Sequence, residues 1–206
     1  MADFFCPRSY AMKVDPTLKY AWINIPKNGS SFIQKVLDDN AWNNVPEDLT
    51  SSIAESPSIK KIVVLRDPVE RWISGFAQCM SDTGSLKILD LLDKDMFVTT
   101  ITMNPVYDDH TEYQHRFIGN AQNLEYIYMQ KSIPNEFYRL LAAWIRKTGG
   151  VADFDNWQNP VNPASNNANK LAINDKLSVQ FNKDSTLKNL HKTDYELFEK
   201  YDRFTN

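Results

Sequence analysis

Residues 61–76 read KIVVLRDPVERWISGF. The first five, Lys61 to Leu65, form an apolar, β-branched run bounded by charge. That is the pattern of a strand buried on both faces, as in a parallel sheet. The run passes into Arg66-Asp67-Pro68, which is written as a helix start. Asp67 suits an N-cap, Pro68 suits the first helical position, and Glu70 stands where a capping box places its acid. Val69, Trp72, Ile73, Phe76 and Met80 then share one apolar helical face.

The same strand–loop–helix unit occurs upstream. Tyr20 to Ile25 (YAWINI) is a short β-prone run ended by Pro26, and the loop PKNGSS follows. Phe32, Ile33, Val36 and Leu37 fall at helical spacing, which predicts a helix from Ser31 to about Asp39 with Ser30 or Ser31 as N-cap. Downstream, Leu86, Ile88, Leu89 and Leu92 suggest a helix within 81–105, and Tyr107 to Gly119 is polar and rich in titratable groups. Leu124 to Met129 (LEYIYM) reads as a third strand. Pro134 to Lys147 reads as a helix striped by Phe137, Leu140, Leu141, Trp144 and Ile145, stopping at Gly149-Gly150. Val151 to Asn169, rich in Asn and Pro, predicts a long irregular segment, and a last helix spans about Ser185 to Tyr201. Strands alternating with helices predict an α/β fold with a parallel sheet, in a single domain over residues 1–206.

Composition narrows the function classes. Hydrophobic residues at 42% and charged residues at 24% exclude a disordered tail or a fibrous repeat. A net charge of -3 argues against non-specific nucleic-acid binding but allows a local basic pocket for a small anion. Cys6 and Cys79 lack any CxxC spacing, which predicts free thiols in a reducing compartment. The chain shows no basic-then-apolar leader, no run of 18 apolar residues and no metal-ligand spacing, so a cytoplasmic protein without a membrane span or a metal is expected. Trp22, Trp42, Trp72, Trp144 and Trp157 are expected mostly in the core.

The two junctions carry the chemistry. A helix start exposes unpaired N–H groups and a partial positive charge. At the first junction Gly29 lets the backbone approach a ligand, Ser30 and Ser31 add hydroxyls, and Lys27 adds a full charge, a combination that suits phosphate or sulfate. The Lys precedes the Gly, so the spacing is not that of a Walker A loop and an ordinary ATP- or GTP-hydrolysing site is disfavoured. A plain Lys-Asn-Gly turn capping a helix reads the same residues. At the second junction Arg66 and Ser74 can share one phosphate, the Arg by a charge-assisted fork. Pairing of Arg66 with Asp67 or Glu70 at the surface is the competing account.

Together, IPKNGSSFI and VVLRDPVERWISGF resemble the PAPS-dependent sulfotransferase family, particularly its carbohydrate and Golgi-type branch. There a PKxGSxS/T-like loop holds the 5′-phosphosulfate of PAPS (3′-phosphoadenosine 5′-phosphosulfate), and an RDPxERxxSxY/F-like segment holds the 3′-phosphate. Phe76 stands where Tyr is common, His110-Thr-Glu-Tyr-Gln114 looks like the family's HxxxQ segment, and KTDYELF looks like its terminal Asp-Tyr helix. The resemblance implies a P-loop NTPase-like, three-layer sandwich with a central, mostly parallel sheet flanked by helices. It implies that Lys27, Gly29, Ser30 and Ser31 contact the phosphosulfate, that Asn28 in the same loop and Phe32, opening the helix beneath the nucleotide, also bind the cofactor, and that Arg66 and Ser74 take the 3′-phosphate. The implied reaction moves the sulfuryl group to an acceptor hydroxyl, carbohydrate first among the candidates, and leaves PAP. Lys27 would stabilise the leaving phosphate and His110 would act as base, with Glu112 or His115 as alternatives and His191 structural. Asn162, Asn166 and Asn167 either close over the nucleotide, with Lys170 near the 3′-phosphate, or form a solvated loop. Two other readings stay open: a non-catalytic PAP- or nucleotide-binding module, and a small-molecule kinase.

Overall fold

A computed structural model describes residues 11–82, 103, 105–129, 134–152, 168–181 and 185–202. Cys6, Trp157, the Leu86–Leu92 helix, Asn162, Asn166 and Asn167 lie outside them. The chain divides into two compact units, Met1–Leu65 with Gln114–Pro160 and Arg66–Tyr113 with Val161–Asn206.

The first unit carries the sheet. Strands β1 (Met12–Val14), β2 (Tyr20–Ile23), β3 (Asn43–Asn44), β4 (Lys60–Arg66) and β5 (Leu124–Met129) lie in the order β3-β1-β2-β4-β5. Strand β2 pairs in parallel with β4, with Ile23 opposite Val63. Strand β1 pairs antiparallel with both β2 and β3. The fold is therefore α/β around a five-stranded mixed sheet, and the expectation of a mostly parallel sheet is corrected. The hidden element was the β1–β2 hairpin. Asp15, 1% exposed, closes it by accepting the N–H groups of Thr17, Lys19 and Tyr20 at 3.0, 2.8 and 2.7 Å. Strand β3 is two exposed asparagines with no apolar pattern to read.

As its run predicts, β4 is buried on both faces: Ile62, Val63, Val64 and Leu65 are each at most 2% exposed. One face packs under helices α1 (Ser30–Asp39) and α5 (Pro134–Lys147). Trp22, Ile62, Val64 and Ile127 from the strands meet Ile33, Val36, Leu37, Phe137, Leu141, Trp144 and Ile145 in one core. Each such side chain contributes about 1.5–3 kcal/mol of burial. The unit also holds α2 (Glu47–Glu55), which the sequence reading missed, and α4 (Gln114–Ile118).

The second unit is built on α3 (Pro68–Asp82), α6 (Ala168–Phe181), α7 (Ser185–Leu190) and α8 (Lys192–Asp202). Trp72, Ile73, Phe76 and Ala77 pack with Ile173, Leu177, Phe181 and Leu187. Trp72 stacks on Phe76 at 4.9 Å, and its indole Nε1 donates to Pro105 O at 2.7 Å. Asp67 caps α3 as the sequence predicts, Oδ1 accepting from Glu70 N at 2.9 Å. The expected long terminal helix is two helices, broken at buried His191, whose Nδ1 lies 3.5 Å from Asp194 Oδ2.

Helix α8 is tied to the α3 start by Tyr195, whose hydroxyl donates to Asp67 Oδ2 at 2.9 Å. Burial first, and then the Asp67 carboxylate, push the phenol far above its usual 10.0. A group raised in the fold contributes stability that is complete below its unfolded value and lost as pH rises beyond it. Tyr195→Phe is therefore expected to cost about 1 kcal/mol at neutral pH, the worth of a partly exposed charge-assisted bond. The variant should also lack the wild type's extra loss of stability above pH ~10. Thermal melts on either side of that pH check both.

Candidate functional site

Five hydrogen bonds build the first junction. Asn28 N donates to Ile25 O at 3.2 Å, Ser30 Oγ to Ile25 O at 2.8 Å, and Ile33 N to Gly29 O at 3.0 Å, which opens α1. The other two anchor the loop: Asn28 Nδ2 donates to Val64 O and to Gln114 Oε1, each at 2.7 Å. Val64 lies near the C-terminal end of β4, so the Asn28 amide stitches the β2–α1 loop to the strand that carries Arg66. With 1% exposure, Asn28 braces the loop from within.

Both neighbours of Asn28 have positive φ, 72° at Lys27 and 76° at Gly29. Gly29 is the N-cap, in place of the predicted Ser30 or Ser31. A Cβ there would meet Met129 Cε at 2.9 Å, so this position needs glycine for both conformation and space. A left-handed lysine costs backbone energy, and such strain collects at functional sites. Lys27 is half-buried on the loop, Ser31 is exposed at the helix start, and Phe32 is half-buried with its ring 5.2 Å from that of Tyr138. The hydroxyl hydrogen of Ser30 is used internally. The N–H groups of Ser30, Ser31 and Phe32 have no acceptor within the helix and form its positive end.

Arg66, at the end of β4, places Nε 3.6 Å from Glu70 Oε2, among its other contacts. This is the surface pairing that the sequence offered as the alternative to phosphate binding. Ser74 lies one turn beyond Glu70 on the same face of α3, half-buried. A pair separated by 3.6 Å at partly exposed positions is weak.

His110 lies in a tight loop made by its neighbours. Asp108 Oδ1 accepts from His110 N at 2.9 Å and Thr111 N at 3.2 Å. Buried Thr111 returns the favour, Oγ1 accepting from Tyr107 N at 2.8 Å and Asp108 N at 3.0 Å. The imidazole is 43% exposed, and its Nδ1 lies 3.0 Å from Asp108 Oδ2. Burial alone would raise the Asp108 carboxyl; the hydrogen bond and charge of His110 and the N–H groups of His110 and Thr111 bring it below its ordinary value. A ring that donates through Nδ1 presents Nε2 as the basic atom.

Of the alternative bases, Glu112 is 4% exposed and accepts the Tyr113 N–H at 2.9 Å, and His115 is half-buried on α4. His191 is 1% exposed, and Lys170 is half-buried on α6. Sequence reasoning missed the brace formed by Asn28 and Gln114. The HxxxQ-like spacing singled out Gln114 without a role. Among the described residues no three His, Cys, Asp or Glu side chains group to hold a metal, and no helix is long and apolar enough to cross a membrane. No family model, curated protein or solved structure matches the chain.

Proposed function

We propose that the protein is a PAPS-dependent sulfotransferase acting on an acceptor hydroxyl, carbohydrate first. One observation carries the reading. Strands β2 and β4 are parallel neighbours, so the chain leaves both at the same end of the sheet, β2 into the Lys27 loop and β4 at Arg66. Two anion-suited strand-to-helix junctions in the chain, IPKNGSSFI and VVLRDPVERWISGF, match a donor with a phosphosulfate at one end and a 3′-phosphate at the other. The reading implies a P-loop-like, three-layer arrangement.

In this scheme the N–H groups of Ser30, Ser31 and Phe32, with Lys27, hold the phosphosulfate. Arg66 and Ser74 take the 3′-phosphate, which separates PAPS from ADP and ATP. The acceptor oxygen attacks sulfur in line, and the bond from sulfur to the 5′-phosphate oxygen breaks. Charge grows on that oxygen, and Lys27 meets it. The acceptor proton passes to Nε2 of His110, and the products are a sulfate ester and PAP.

Incubation with sulfur-labelled PAPS and separate glycan, lipid and small-alcohol pools tests the reaction. Label is expected in the glycan pool with wild type and in none with His110→Ala, whose PAP affinity should match wild type. Transfer that survives in His110→Ala would move the base to Glu112 or His115. No transfer to any pool, with PAP still bound, would leave a binding module.

A further inference from the structure

Helix α3 carries a fully buried cation that the scheme above does not use. Arg71 is 0% exposed, its Nη1 donating to Glu112 O and its Nη2 to Asp109 O at 3.1 Å. Both acceptors are backbone carbonyls of the loop that holds His110. One turn on, Gly75 faces the same loop. A Cβ built there would lie 2.1 Å from His110 O and 2.6 Å from His110 C, so only a bare Cα lets that peptide rest on the helix. Trp72 adds its bond to Pro105 O just upstream of the loop.

We propose that Arg71 and Gly75 are positioning residues for His110: the guanidinium grips the peptides on either side of it, and the glycine sets how closely its own peptide seats on α3. The inference rests on His110 as the base. Its physical logic is that a tight loop has few anchors of its own. Asp108 and Thr111 fix its internal shape, whereas its position in space is set by the helix beneath. Planar guanidinium reaches two carbonyls in fixed directions, which a lysine cannot do. Burial draws Arg71 down to about 10, opposed by the fields of Asp194, Glu112 and Asp108, so it stays cationic at neutral pH. Asp194, 1% exposed on α8, supplies countercharge within the same unit.

Gly75→Ala tests this directly. Alanine suits a helix better than glycine, so α3 itself should persist while the His110 peptide is forced outward. The expected result is a turnover loss of about 100-fold, the scale for displacing a reacting group by about 1 Å, with PAP affinity within about twofold of wild type. The imidazole signals of the three histidines, followed by NMR without any nucleotide, should show the largest change at His110. Arg71→Lys keeps the charge but not the fork and should give the same signature.

A His110 signal and a turnover both like wild type in the two variants would overturn the proposal. So would global unfolding of both, which would make the pair general supports of the fold. A shifted His110 signal with undiminished turnover would instead leave the positioning intact and remove His110 as base. The NMR arm therefore separates failure of this inference from failure of the sulfotransferase reading.

Discussion

Lys27→Ala is expected to lower turnover by about 10²- to 10³-fold while PAP affinity changes by less than about tenfold, the range seen when one charge-stabilising donor is removed from an active site. The asymmetry follows from when the charge appears. In bound PAPS the oxygen joining sulfur to phosphorus is bridging and carries little charge. As the bond to sulfur breaks, it becomes the terminal oxygen of PAP. An ammonium aimed there gains energy mainly in the transition state, so its loss falls on kcat rather than on binding. The fold should tolerate the change. Lys27 has φ 72°, and alanine carries the same Cβ strain at that position. The anchors of the loop, Asn28 to Val64 and Gln114, do not involve the lysine side chain. Single-turnover transfer of labelled sulfate, with PAP titrations of the same protein, measures the two quantities. Equal losses in both would make Lys27 a binding residue only.

Arg66→Ala is expected to weaken PAP by about 30- to 100-fold, the equivalent of roughly 2–3 kcal/mol for a charge-assisted fork, and ADP by no more than about twofold. The difference between these ligands is chiefly the 3′-phosphate against a second 5′-linked one. An effect confined to PAP therefore assigns the arginine to the 3′ end. The ion pair with Glu70 that the change removes, 3.6 Å long at partly exposed positions, is itself worth little to stability. Comparable losses for PAP and ADP would remove the assignment. Parallel calorimetric titrations of the variant distinguish the two.

The elements legible in the sequence were those whose signal is local. KIVVL is a continuous apolar run, and β4 is buried on both faces. Asp67-Pro68 announces a helix, and α3 starts there with Asp67 as cap. LEYIYM and the Pro134–Lys147 stripe match β5 and α5 at both ends. What was missed lacks local pattern. Strand β3 is two asparagines, and the β1–β2 turn is organised by one buried carboxylate whose partners no periodicity reveals. Helix α6 has Ile173, Leu177 and Phe181 at four-residue spacing, but a preceding Asn- and Pro-rich stretch masked its start. At the site, residue types were legible and side-chain directions were not. Asn28 looks like a ligand group in IPKNGSS, yet its amide turns inward to Gln114, 86 residues away in sequence. Gly75 looks like a minor helix residue until the His110 peptide is found against it. Such contacts join distant segments and exist only once the chain has folded.

Calorimetric titration of the wild-type protein with PAP, ADP and ATP under one buffer tests the central claim most directly. PAP should bind at least tenfold more tightly than either ADP or ATP, because only PAP presents phosphates to both helix starts. Equal affinity for ATP, or no heat with PAP at all, would contradict it.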